Sequence, residues 1–252
     1  MTDGERFAGA IQLALAMDNE RDGIGKLSEK LMHVTVKNFY CDDPSRQEIK
    51  IGTHVADICV DDSIVEVQNG NFIKLRDKLE DFLPDYYVTI AYPLPARKIL
   101  TWVDPDTGEI TSSRKTGKRG TVMDAMRELY RIKRYLIDAN LSVELLFVDL
   151  EEIRFQDGYA RDRKKGSHRM ERIPRELDRI VSFHSMEDYV QLLPDQSLLP
   201  SPFTSEDFRK AWKTTPRNAN IALLMMTDFG ILERVGKQGR AYLYEIKAPY
   251  RK

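Results

Sequence analysis

Asp57, Glu66 and Gln68 carry the chemistry most legible in this chain. They fall in one short run, His54-Val-Ala-Asp57-Ile-Cys-Val-Asp61-Asp62-Ser-Ile-Val-Glu66-Val-Gln68. Its β-branched residues predict two strands joined by an Asp61-Asp62 turn. With a two-residue turn Val60 pairs with Ser63, and the register then sets Asp57 across from Glu66. Directly opposed residues share a face, with Cβ atoms about 5 Å apart. Two carboxylates so placed can share one divalent cation, and Gln68, two residues beyond Glu66, joins their face. A slip of one residue would send Glu66 to the other side of the sheet.

A hard cation held by carboxylates makes a water nucleophilic and neutralises a leaving oxyanion, the two requirements of phosphodiester hydrolysis. Mg²⁺, with Mn²⁺ as its substitute, takes one or two protein carboxylates and leaves positions for water and phosphate. Asp57 and Glu66 supply that number. Gln68 carries no charge and can act only by hydrogen bonding.

These side chains need elements to hold them. Apolar spacing predicts helices over 5–18 and 26–40, the second carrying Glu29 and His33 one turn apart. Residues 46–51 form a strand, and a Gly52-Thr53 turn sets Glu48 opposite Asp57; Glu48 ranks below Glu29 as a third acid. His33 is expected at the surface, and His54 on the face opposite Asp57. A helix over 72–83 ends at Pro84. Strands follow at 86–92 and 98–103, then a turn at 104–108 and a basic loop or loose hairpin through Gly120. A helix from Thr121 to about Ala139 precedes a strand at 143–150. Strands interleaved with helices imply an α/β domain.

The charged stretch 151–175 is expected to be a long loop or irregular extension, and 175–182 and 185–193 short helical pieces. Pro194, Pro200 and Pro202 mark a linker over 194–202, dividing a domain at 1–193, with its core at about 24–150, from one at 203–252. In the second, Thr204 and Asp207 form a near capping box on one helix, Arg217 opens another, and a β-hairpin completes the unit. Helix, turn, helix and hairpin resemble a winged helix-turn-helix, which sets its second helix in the major groove. Arg217, Asn218 and Asn220 at the helix start, with Lys237 and Arg240 on the wing, are the expected nucleic-acid contacts.

Net charge excludes no partner, because 39 Lys and Arg stand against 40 Asp and Glu. The distribution is more telling: Lys115, Lys118 and Arg119 cluster near one glycine-bearing stretch, and Lys164, Lys165 and Arg169 in another, as phosphate-contacting loops would. Cys41 and Cys59 have no metal-ligand spacing and make no disulfide framework, so a cytoplasmic protein is expected. The apolar run over 7–17 is too short to span a membrane.

With Asp57 as first acid, Glu66-Val67-Gln68 as the second motif and Glu29 on the preceding helix, residues 24–150 resemble the PD-(D/E)XK nuclease superfamily. Gln68 stands where that family commonly has lysine, and Ala56 where it often has proline. The whole chain, with its 72–84 segment, Tyr92-Pro93-Leu94 and winged tail, is similar to bacterial nuclease-like proteins of this kind. The resemblance implies a restriction-endonuclease-like mixed sheet flanked by helices, Mg²⁺ on Asp57 and Glu66, Glu29 assisting, and Gln68 positioning water. The expected function is metal-dependent hydrolysis of DNA, with a homodimer as one way to cut both strands. A catalytically inactive DNA-binding regulator and a protein-interaction scaffold are the alternatives.

Overall fold

Phe7, Ala10 and Ile11 of helix α1 (Asp3–Asn19) and Met32, Val36 and Phe39 of α2 (Ser28–Tyr40) recur at helical spacing and close on one buried apolar cluster. The sheet completes that cluster through Val67, Ala91, Leu146, Val148 and Leu177. The computed structural model describes residues 1–19, 28–158 and 166–251. After α2 come β1 (Gln47–Ile51), β2 (His54–Val60), β3 (Ser63–Val67), α3 (Arg76–Phe82), β4 (Tyr87–Val103), β5 (Ile110–Lys115), α4 (Met126–Arg131), β6 (Leu141–Gly158) and β7 (Gly166–Phe183). The first seven strands form one sheet in the order β1-β2-β3-β4-β6-β7, with β5 paired to β4. The expected α/β class is what the chain adopts.

The two predicted hairpins have the predicted registers. Ile51 pairs with His54 across Gly52-Thr53, and Val60 with Ser63 across Asp61-Asp62. Both turns bend through left-handed backbone, at Gly52 with φ 57° and Asp61 with φ 53°.

Elsewhere the strands are longer than expected. The separate strands at 86–92 and 98–103 are one strand, β4, running through Pro93 and Pro95. Proline lacks a donor, but its fixed φ suits extended chain. The expected loop over 151–175 and the helical piece over 175–182 are likewise corrected: they belong largely to β6 and β7. Hydropathy misleads here because the charges neutralise one another across the sheet. Glu152, 1% exposed, meets Lys98 at 3.3 Å and Arg172 at 3.4 Å and also binds Arg154. Glu151 accepts the Thr101 hydroxyl at 2.6 Å and pairs with Arg175.

Residues 1–69, 89–120 and 144–181 form one compact unit, and 70–88, 121–143 and 182–252 a second. In the second, Phe183 stacks on Tyr189 at 4.7 Å and Tyr189 meets Phe229 at 4.8 Å. The helix expected to reach Ala139 is shorter, since α4 ends at Arg131 and the chain continues in turns such as Tyr135 N–H to Ile132 O at 2.9 Å. Residues 203–252 lie wholly in this unit, as β8 (Phe203–Thr204), α5 (Ser205–Trp212), α6 (Pro216–Asp228), β9 (Leu232–Gln238) and β10 (Ala241–Ile246). The Thr204/Asp207 capping box opens α5 as expected, and the three strands form a sheet in the order β8-β10-β9.

Candidate metal centre

Three donor groups, from His33, Glu48 and Asp57, lie within 4.8 Å of one another, the one such cluster of metal-ligand type among the described residues. Each has a positional cause. His33 is on α2, which packs against β3. Glu48 and Asp57 are set opposite by the Gly52-Thr53 hairpin, whose register pairs Gln47 with Ile58 and Ile49 with Ala56 on either side. Glu48 has φ 54°, a conformation non-glycine residues adopt at a cost of about 1–3 kcal/mol.

Asp57 is held from two sides. Its Oδ2 accepts Val67 N–H at 2.8 Å, and its Oδ1 lies 3.6 Å from His33 Nε2. The ladder of the second hairpin reaches from its turn to Ile58 and Val65 and would set Asp57 across from Glu66 if continued by one step. There the Asp57 carboxylate itself takes the Val67 amide. Glu66 is fully buried and lies outside the donor cluster. Gln68 stands just past β3, half-buried, with its N–H on Ala91 O at 2.9 Å. Glu29 is in the first turn of α2, one turn before His33, and its side chain lies outside the described residues.

Lys37, one further turn along α2, is 8% exposed in its side chain and its ammonium bonds Glu48 Oε1. The cluster is therefore an imidazole and two carboxylates with an ammonium on the outer acid. Nitrogen and oxygen donors of this kind suit first-row transition cations and Mn²⁺ better than a site of oxygen alone does. A cation there would compete with Lys37 for Glu48. Sequence reasoning ranked Glu48 low and set His33 at the surface. The signals were present, in the Gly52-Thr53 register for Glu48 and in the spacing from Glu29 for His33.

The expected nucleic-acid contacts fall into different surroundings. Lys115, Lys118, Arg217, Asn220, Lys237 and Arg240 are exposed. Arg119 donates to Asp178 at 2.8 Å, so it is also part of the sheet's charge network. Asn218 is different: its amide donates to Met123 O at 2.8 Å, so it ties α6 within its own unit. Lys164 and Lys165 lie outside the described residues; Arg169 is in β7, with its side chain outside them.

Residues 30–184 match the model of a family described as a domain of unknown function, DUF8091, more than half of the chain. The chain belongs to this family. The DUF8091 region contains His33, Glu48, Asp57, Glu66 and Gln68, and stops before residues 203–252. The chain is also similar to an uncharacterized protein of Treponema pallidum, 28% identical over 227 residues, covering 90% of this chain and 88% of that one. No solved structure matches the chain. Among the described residues no helix is long and apolar enough to cross a membrane.

Proposed function

We propose that the chain is a metal-dependent nuclease of PD-(D/E)XK type, hydrolysing phosphodiester bonds in DNA, with a C-terminal winged helix. The observation that carries this reading is the convergence of His33, Glu48 and Asp57 around a space their donor atoms can share. These three would hold the cation, which is Mn²⁺ or Mg²⁺. The bound cation would supply the activation of water and the charge for the leaving oxygen.

The chain's own residues do the rest. Val67 N–H fixes one Asp57 oxygen and so aims the other toward His33. Glu66 is fully buried next to Val67, the residue whose amide holds Asp57. Gln68 orients water or a phosphate oxygen by hydrogen bonding. Arg217, Asn220, Lys237 and Arg240 extend from α6 and the β9–β10 hairpin as duplex contacts. Two free cysteines fit a reducing, cytoplasmic compartment.

Two observations favour a second reading, a DNA-binding protein that does not cut: the Lys37 ammonium already sits on Glu48, and Gln68 offers no charge. Incubation with linear, supercoiled and single-stranded DNA in Mn²⁺ or Mg²⁺ separates the two. Cleavage is expected from the wild type and not from Asp57→Ala or Glu48→Ala. Cleavage that persists in both variants refutes this centre, and binding with no cleavage supports the second reading.

A further inference from the structure

The end of β5 closes a groove on the first unit. Thr116, the residue after that strand, donates its N–H to Lys98 O at 2.7 Å and so carries the pairing with β4 one step beyond β5. Arg97, Lys98, Lys115, Thr116 and Arg175 line a cavity of about 230 Å³, open on one side and contained within the first unit. Two acids, Asp149 and Glu176, also line it. Asp149 is taken up by Arg97, whose N–H and Nε reach its carboxylate at 3.1 Å and 3.0 Å. Glu176 is exposed.

Two observations point to an anion. The Thr116 hydroxyl is buried and has no hydrogen-bond partner among the described residues. A buried hydroxyl left unpaired costs about 1–3 kcal/mol, which an oxygen acceptor in the groove would recover. Lys115 beside it is exposed and makes no ion pair among the described residues. A cation would be repelled by the Lys115 ammonium, whereas an anion can accept from both groups.

The surroundings carry surplus positive charge. Asp178 is shared by Arg97, Arg119 and Arg179, and Glu152 by Lys98, Arg154 and Arg172. Burial pushes both carboxyls up, yet the neighbouring cations hold them below their usual values. Arg114, Lys118 and Arg119, on either side of Lys115 and Thr116 in the chain, are exposed as well.

We propose that this groove seats a phosphate of a nucleic-acid backbone, with Lys115 and the Thr116 hydroxyl donating to its oxygens and Arg97, Lys98 and Arg175 supplying the surrounding charge. The occupant rests on the nuclease reading above; the anion seat rests on the groove alone. Backbone contacts of this type position a duplex without reading its sequence.

The test measures binding of a short fluorescent DNA duplex to the full chain in EDTA, where no cleavage intervenes, with inorganic phosphate as a competing probe. Lys115→Ala combined with Thr116→Val should weaken duplex binding about tenfold, and Lys115→Ala alone should lower the slope of log affinity against log salt by about one. Lys115 is exposed, so its replacement leaves the fold intact, and Thr116→Ser should retain wild-type binding. Unchanged affinity and salt slope in the double variant overturn the seat while leaving the metal centre untouched. Phosphate binding that the double variant abolishes, without any duplex binding by the wild type, overturns the nucleic-acid occupant. Loss of Mn²⁺ binding in Asp57→Ala, measured separately, reports on the metal centre and not on the groove.

Discussion

Asp57 divides its carboxylate between two elements, accepting Val67 N–H on Oδ2 at 2.8 Å and presenting Oδ1 to His33 Nε2 at 3.6 Å. A carboxylate fixed by one backbone amide cannot rotate freely, so its second oxygen is set before any cation arrives. That preorganisation makes the ligand set specific enough to test by metal identity.

Mn²⁺ should bind the wild type more tightly than Mg²⁺, since an imidazole suits the first and adds little for the second. His33→Ala should lower Mn²⁺ affinity by at least about tenfold and change the weaker Mg²⁺ binding far less. Titration calorimetry reads both, and equal affinities for the two cations in the wild type would sink the assignment of His33.

Lys37→Met should tighten metal binding. The ammonium neutralises Glu48 and repels an incoming cation, so removing its charge frees a ligand and lowers the local potential. A several-fold gain in Mn²⁺ affinity is expected, together with retention of the fold, because methionine fills the same buried channel. Weaker binding in this variant would mean that Lys37 supports the site instead of competing for it.

Asn218→Ala should cost about 1 kcal/mol of stability through the lost bond to Met123 O and leave duplex affinity as it was. Arg217→Ala and Asn220→Ala, on exposed positions of α6, should do the reverse. Chemical denaturation paired with DNA titration distinguishes the two patterns. A large affinity loss in Asn218→Ala would return that residue to the interface.

Acid should weaken the sheet. Thr101 and Arg175 hold Glu151 low, and around Glu152 and Asp178 the nearby arginines outweigh burial, so all three titrate below their ordinary values. A carboxylate depressed in the folded state stabilises fully above its unfolded value of 4.5 for Glu or 3.8 for Asp, and that contribution is lost as pH falls through the lowered folded value. Thermal melts should therefore show stability dropping below about pH 4, and Glu152→Gln should shallow that drop. An unchanged acid limb in the variant would remove Glu152 from the account.

The hairpins were legible because a turn of known length fixes which residues oppose, and both registers depend on little else. Helices α1 and α2 were legible from apolar spacing. The first half of β6 was legible as the strand at 143–150, but its continuation past 150 and β7 were not, since Glu151, Glu152 and Asp178 find partners on other strands, and no local pattern announces a charge that will be neutralised from afar. The centre itself was half legible. Asp57 and Glu48 follow from one turn, but the choice of His33 over a solvent-facing role depends on how α2 lies on the sheet, which is a tertiary fact.

The chain changes unit after residues 69, 88, 120, 143 and 181. A single genetic breakpoint therefore cannot exchange either unit whole, and the family match at 30–184 runs through segments of both. A contiguous exchange that moved either unit whole would carry segments of the other with it.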